Sequence, residues 1–207
     1  MWAIRRETDE LAPESRIPNP ESPMPTSGRS KHVPGNIMAG MGHEEHRADA
    51  PRSVGVYVLT VSDTRTEATD TGGKTIALLL EGAGHKLVGR DIVRDEPSEV
   101  RSKITAHLEH PEVQAIITTG GTGISARDSS FEAIDALLEK RLDGFGELFR
   151  MLSYHQIGAA AMLSRACAGL ARRKVIISLP GSEHAVRLAL EKLVLPELGH
   201  LVREATR

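Results

Sequence analysis

Residues 54–61, Val54-Gly55-Val56-Tyr57-Val58-Leu59-Thr60-Val61, form a near-continuous apolar run of about one strand's length. A strand with one wet face alternates apolar and polar residues, whereas one that is apolar throughout is covered on both faces, as in parallel sheets. The pattern recurs at 113–118 and at Lys174-Val175-Ile176-Ile177-Ser178-Leu179, with a further strand expected over 86–93. Helices are expected between them. One runs over 71–80, with Asp70 or Thr71 as N-cap and Gly82 as stop; one from Pro97 to about 109; and one over 130–140. Further helical stretches are read at 145–152 and 157–170, and a last helix is capped by Ser182, runs through Leu193 and resumes after Pro196. Strands alternating with helices predict an α/β fold, a three-layer α/β/α sandwich with a mainly parallel sheet and right-handed crossovers.

Ahead of this pattern, residues 1–52 hold seven of the eleven prolines and show no sustained period. Such a stretch cannot bury enough apolar surface to offset its ordering entropy, so 1–52 reads as a disordered Pro-rich extension and 53–207 as the folded domain. Met38 lies shortly before the first strand, and a start there leaves 170 residues, so part of the extension is expected to be dispensable or a start-site artefact. His43-Glu44-Glu45-His46 resembles a zinc-protease motif but has its histidines at i and i+3 rather than i and i+4, and no metal is expected there.

Composition narrows the partners. Aromatics are only 3% of the chain and there is no basic stripe, which argues against nucleic-acid binding. No apolar run approaches the roughly 18 residues of a membrane span, and residues 1–7 lack a signal peptide's apolar core, so a cytoplasmic protein is expected. Cys167 is the only cysteine, which excludes an intramolecular disulfide; in Ala166-Cys167-Ala168-Gly169 it reads as a small packed residue.

In an open parallel sheet, ligands bind beyond the carboxyl ends of the strands. This chain places Ser62-Asp63-Thr64-Arg65 at the first exit, Arg94-Asp95-Glu96 at the second, Thr119-Gly120-Gly121-Thr122-Gly123 followed by Arg127-Asp128 at the third, and Pro180-Gly181-Ser182 at the fourth. Three glycines in four residues suit either a tight strand-to-helix turn or a loop whose N–H groups converge on an oxyanion. Asp95 and Asp128 each precede a helix, so capping is an alternative role for both. Convergence of all these groups on one sheet edge favours phosphoryl or nucleotidyl transfer, with magnesium held by one or two carboxylates. No Ser–His or Cys–His pairing signals a covalent nucleophile. The loop matches neither a Walker A motif nor the dinucleotide fingerprint.

Several segments, in order, resemble the MogA/MoaB family of molybdenum-cofactor biosynthesis: Val61-Ser62-Asp63-Thr64-Arg65, Asp70-Thr71-Gly72, the 118–123 loop with Arg127-Asp128, the segment from Gly144 to Arg150, Ser164-Arg165 with Ala168-Gly169, and Leu179-Pro180-Gly181-Ser182. The resemblance spans about residues 53–205 and is closer to the MoaB branch. It implies a molybdopterin adenylyltransferase, in which the terminal phosphate of molybdopterin attacks the α-phosphorus of MgATP and releases pyrophosphate. By similarity, Asp95 and Asp128 would be the catalytic carboxylates that hold magnesium. Ser62, Asp63, Thr119, Gly120, Gly121, Thr122, Gly123, Pro180 and Gly181 would bind substrate, and Ser164 and Arg165 an anion. The resemblance also implies a homotrimer or hexamer. The alternative is a non-catalytic MoaB-like pterin-binding or regulatory protein. One departure stands out: Ser129-Ser130-Phe131-Glu132-Ala133 follows the Arg-Asp pair where many of these enzymes have Val-Thr-Pro-Glu-Ala, so Phe131 replaces a proline.

Overall fold

The computed structural model describes residues 49–125 and 129–207, all within one unit. Asp128, Arg127 and the histidines at 43 and 46 lie outside the described residues. Six strands form a single sheet: β1 (Gly55–Val61), β2 (Lys86–Val93), β3 (Ala115–Gly120), β4 (Lys140–Arg141), β5 (Cys167–Ala171) and β6 (Lys174–Leu179), in the order β2-β1-β3-β6-β5-β4. The first three and β6 run parallel, while β5 pairs antiparallel with both β4 and β6. The expected mainly parallel α/β sheet is present, with an antiparallel edge.

The helices are α1 (Thr71–Gly82), α2 (Pro97–Leu108), α3 (Ser130–Asp135), α4 (Asp143–Ile157), α5 (Glu183–Ala189) and α6 (Leu195–Thr206). Asp70 caps α1 by accepting the Gly73 N–H at 2.9 Å, and Ser182 caps α5 by accepting that of Ala185 at 3.2 Å. Period-two alternation along the strands separates two cores. Val56, Val58, Ile117 and Ile177 pack against Ile76 and Leu80 of α1, Phe149 of α4 and Leu198 and Val202 of α6. On the opposite face, Tyr57, Leu59, Ile116 and Ile176 meet Val100 and Ile104 of α2 and Ile134 of α3. Each fully buried aliphatic side chain contributes roughly 1.5–3 kcal/mol, so the sheet is held from both sides.

Four expected elements differ. The helix expected over 130–140 ends at Asp135, because Lys140 and Arg141 leave to pair with Leu170 and Gly169. The helix expected over 157–170 is instead a 3-10 turn, Gly158–Leu163, followed by β5. Gly169 explains the difference: a Cβ there would lie 2.4 Å from the Lys140 carbonyl oxygen, so this small residue lets two strands approach. The third strand extends two residues beyond 118, carrying Thr119 and Gly120 within the sheet. The chain from α5 to α6 continues through a wider π-type turn, Leu190–Val194, with Pro196 in the first turn of α6.

Candidate active site

Register sets the site. Val61 is level with Val93 of β2 and with Gly120 of β3, and Thr119 is level with Leu179 of β6. Four parallel strands therefore release their chains at one edge, and their exits form a cleft of about 400 Å³. Its walls include Ser62, Asp63, Asp95, Thr119, Gly120, Gly121, Thr122, Gly123 and Gly181. Pro180 lies just behind, its carbonyl oxygen accepting the Thr119 hydroxyl at 2.9 Å. The structure thus gathers the substrate-binding candidates of all four exits, and Asp95, around one space.

The glycine loop is dictated from beneath. Gly120 and Gly121 have φ of +89° and +62°, in the left-handed region that glycine enters without steric penalty. A Cβ on Gly120 would lie 2.2 Å from the Val61 carbonyl oxygen, and one on Gly121 would lie 2.7 Å from Cγ1 of Val61 and 3.0 Å from Cβ of Ser130. Packing alone demands both glycines, and the same absence of side chains leaves main chain facing the cleft. The tight turn and the oxyanion cradle are compatible readings of one loop.

The Asp63 carboxylate holds the loop that carries Asp95. The Asp95 N–H donates to Oδ1 of Asp63 at 3.1 Å, tying the β2 exit to the β1 exit. Oδ1 of Asp95 is buried and has no hydrogen-bond partner among the described residues. A buried carboxylate oxygen with nothing to accept from is costly unless a ligand supplies the partner. Together with the glycine main chain that lines the same cleft, it fits a magnesium ion bound with substrate phosphates.

Two residues in the cleft wall, Asp70 and Arg65, complete it. Asp70 accepts from the Thr60 hydroxyl at 2.9 Å and from the Arg90 guanidinium at 2.7 Å, beside its cap on Gly73. Its position before a helix marks it as an N-cap in the sequence, whereas nothing local marks Arg90, twenty residues on, as its partner. Arg65 is fixed by donating to the Thr69 carbonyl at 2.8 Å.

Ser164 and Arg165 fall outside the cleft lining. Arg165 donates to the Gly123 carbonyl at 2.9 Å, pairs with Glu132, and lies over the Phe131 ring. It supports the glycine loop from behind. Cys167 is buried, and desolvation, reinforced by the nearby Asp135 charge, pushes its thiol up to about 12, which leaves it an inert packed residue. Among the described residues no helix is long and apolar enough to cross a membrane.

Comparisons with known proteins give the family and the fold. The family model described as "Probable molybdopterin binding domain" matches residues 57–200. The chain is 49% identical over 168 residues to molybdenum cofactor biosynthesis protein B of Bacillus cereus, covering 81% of this chain and 99% of that protein. It superposes with a TM-score of 0.73 on a crystal structure of a molybdenum cofactor biosynthesis protein B, with 49% identity, covering 76% of this chain and 98% of the other. A third relative is the molybdopterin biosynthesis enzyme MoaB of Thermus thermophilus, with a TM-score of 0.66 and 34% identity, covering 74% of this chain and 96% of the other. With a molybdopterin-binding family model over most of its folded part and relatives of this identity along nearly their whole length, the chain belongs to the MogA/MoaB family of molybdenum-cofactor biosynthesis proteins.

Proposed function

We propose that the chain transfers the adenylyl group of MgATP to molybdopterin, releasing pyrophosphate. The observation that carries this reading is the buried Oδ1 of Asp95, unpartnered among the described residues, in a cleft at the strand exits that is also lined by the glycine main chain. Asp95 and Asp128 would hold magnesium, which supplies charge neutralisation to the phosphate oxygens. The Gly120–Gly123 main chain would receive phosphate oxygens, and a rigid cradle costs no reorganisation as charge shifts during transfer. Ser62 and Asp63 would contact the pterin or its phosphate, and Gly181, whose Cβ would come 3.3 Å from the Gly120 Cα, keeps the last exit close against the cradle. A terminal phosphate oxygen of molybdopterin forms the new P–O bond at the α-phosphorus, and the bond to the bridging oxygen breaks, carrying its electron pair to pyrophosphate.

Incubation with molybdopterin and MgATP, with pyrophosphate release followed, tests this. Turnover that is abolished by Asp95→Asn and by Asp128→Asn supports it. Wild-type protein that binds the pterin yet releases no pyrophosphate would instead be the non-catalytic pterin-binding or regulatory protein.

The working unit is a homotrimer, or a hexamer built from two. Leu148, Met151, Tyr154 and Ile157 of α4, with Met162 and Leu163 just beyond, are about half-exposed or more. Contiguous apolar surface of this kind marks an association face. Sedimentation that gives only monomer would sink this assignment.

A further inference from the structure

The described residues of the cleft bring little positive charge to the reaction just proposed. Among the described residues Arg65 is the only cationic one in its lining, against Asp63, Asp70 and Asp95, and Asp70 is already matched by Arg90. Magnesium offsets part of the charge, but a departing pyrophosphate is a multiply charged anion that needs fixed donors as well.

A second depression of about 460 Å³ adjoins the cleft and shares Ser62, Asp63 and Arg65 with it. It adds Arg90 and Arg94. Alternation along the edge strand β2 puts Arg90, Ile92 and, one step past the strand end, Arg94 on one face. Arg90 and Arg65 are held by Asp70 and by the Thr69 carbonyl, each through a single terminal nitrogen. A guanidinium has five N–H donors, so both keep several to offer from fixed positions. Arg94 makes no hydrogen bond or ion pair with a described residue. The acidic neighbours are Asp63, Glu67 and Asp91, and Asp91 is matched by Lys103 at 3.1 Å. The arginines of the opposite flank fit less well. Their depression shares no lining residue with the cleft, and Arg141 and Arg165 there are in ion pairs with Asp135 and Glu132.

We propose that the annex formed by Arg65, Arg90 and Arg94 is the subsite for the β- and γ-phosphates of the nucleotide and for the pyrophosphate made from them. Planar guanidinium forks match phosphate oxygens in pairs, and charge-assisted bonds of this kind are the strong ones. The annex lies at the β2 edge of the cleft, which leaves the β3 and β6 side to the pterin phosphate.

The assignment rests on the adenylyl-transfer reading, but its test does not need turnover. Calorimetric titration of the full chain with inorganic pyrophosphate and magnesium should show binding. Arg94→Ala should weaken it by about tenfold, the loss of one charge-assisted contact. Arg94→Lys should recover part of the loss, Arg150→Ala on the opposite flank should have no effect, and molybdopterin binding should survive Arg94→Ala. Absence of pyrophosphate binding to the wild type, binding indifferent to Arg94, or binding lost in Arg150→Ala would each overturn the subsite. Arg94-dependent pyrophosphate binding without turnover would leave the subsite standing and sink the adenylyl-transfer reading. Turnover with an unchanged KM for ATP in Arg94→Ala would do the reverse.

Discussion

The guanidinium carbon of Arg165 lies 4.1 Å from the centre of the Phe131 ring. From that position Arg165 also donates to the Gly123 carbonyl and pairs with Glu132, so one side chain grips the chain before and after residues 124–130. A proline at 131 would offer no aromatic face for this contact. A cation–π contact at a partly exposed site contributes about 0.5–1 kcal/mol, and the pair with the exposed Glu132 adds at most about 1 kcal/mol. Phe131→Leu should therefore cost roughly 0.5–1 kcal/mol and Arg165→Ala about 1–2 kcal/mol in urea unfolding. The double variant should lose less than their sum; strict additivity would show that the ring and the guanidinium do not cooperate.

Asp70 is 2% exposed and serves Thr60, Gly73 and Arg90 at once. Asp70→Asn keeps an acceptor for the helix cap but strands a partly buried guanidinium. Removing one partner of a buried pair costs about 3–5 kcal/mol, and Arg90's residual exposure puts the expected loss near the lower figure, about 3 kcal/mol. Arg90→Met should cost less, since Asp70 would keep two donors. Denaturation midpoints that rank the two variants in the opposite order would refute this account.

The parallel half of the sheet and its exits are legible because the cause is local. Residues 54–61, 113–118 and 174–179 carry their burial pattern in their own composition, and the exits follow from the direction in which parallel strands run. The antiparallel edge is not legible in the same way. Ala166-Cys167-Ala168-Gly169-Leu170 has small residues that suit a helix equally well. What decides the matter is the approach of Lys140, whose backbone oxygen leaves no room for a side chain at 169. Arg165 shows the same limit at the site. Its sequence neighbourhood suggests an anion contact, while its partners, Gly123, Phe131 and Glu132, lie more than thirty residues away and occupy the guanidinium. Likewise, the glycines of 120–123 are visible in the sequence, but Val61 and Ser130, which make two of them obligatory, are not.

His85 sets the behaviour in mild acid. Its Nδ1 accepts the Val54 N–H at 3.3 Å, and desolvation lowers its pKa below the ordinary 6.5. Between the lowered folded value and 6.5, the unfolded chain binds the proton and the folded one does not, so this contribution is complete above pH 6.5 and is lost as pH falls through that window. Denaturant midpoints should decline from pH 7 toward pH 5, and His85→Gln, which keeps an acceptor but cannot titrate, should flatten the decline. An equal slope in both proteins would assign the effect to other groups.

Cys167 should resist modification while the protein is folded. The thiol is buried and raised to about 12, so the thiolate fraction at pH 8 is very small and its access is blocked. Iodoacetamide should label it slowly in native buffer and rapidly in denaturant, and labelling in native buffer should track unfolding rather than reagent concentration. Rapid native labelling would mean that β5 opens locally.

The residues just before the sheet are part of the fold. Asp49 lies 3.5 Å from the Arg203 guanidinium, and a Cβ on Gly199 would come within 2.5 Å of the Pro51 carbonyl oxygen. A protein beginning at Ser53 should lose about 1 kcal/mol, or roughly 2–4 °C in Tm, relative to one beginning at Asp49. Gly199→Ala separates this contact from general fraying. In the full chain the added methyl meets the Pro51 carbonyl and should destabilise. Once residues 49–52 are gone, the same substitution removes a mid-helix glycine from α6 without a clash and should stabilise by up to about 1 kcal/mol. A change of sign between the two backgrounds is the expected result; the same sign in both would show that Pro51 does not rest on α6 in solution.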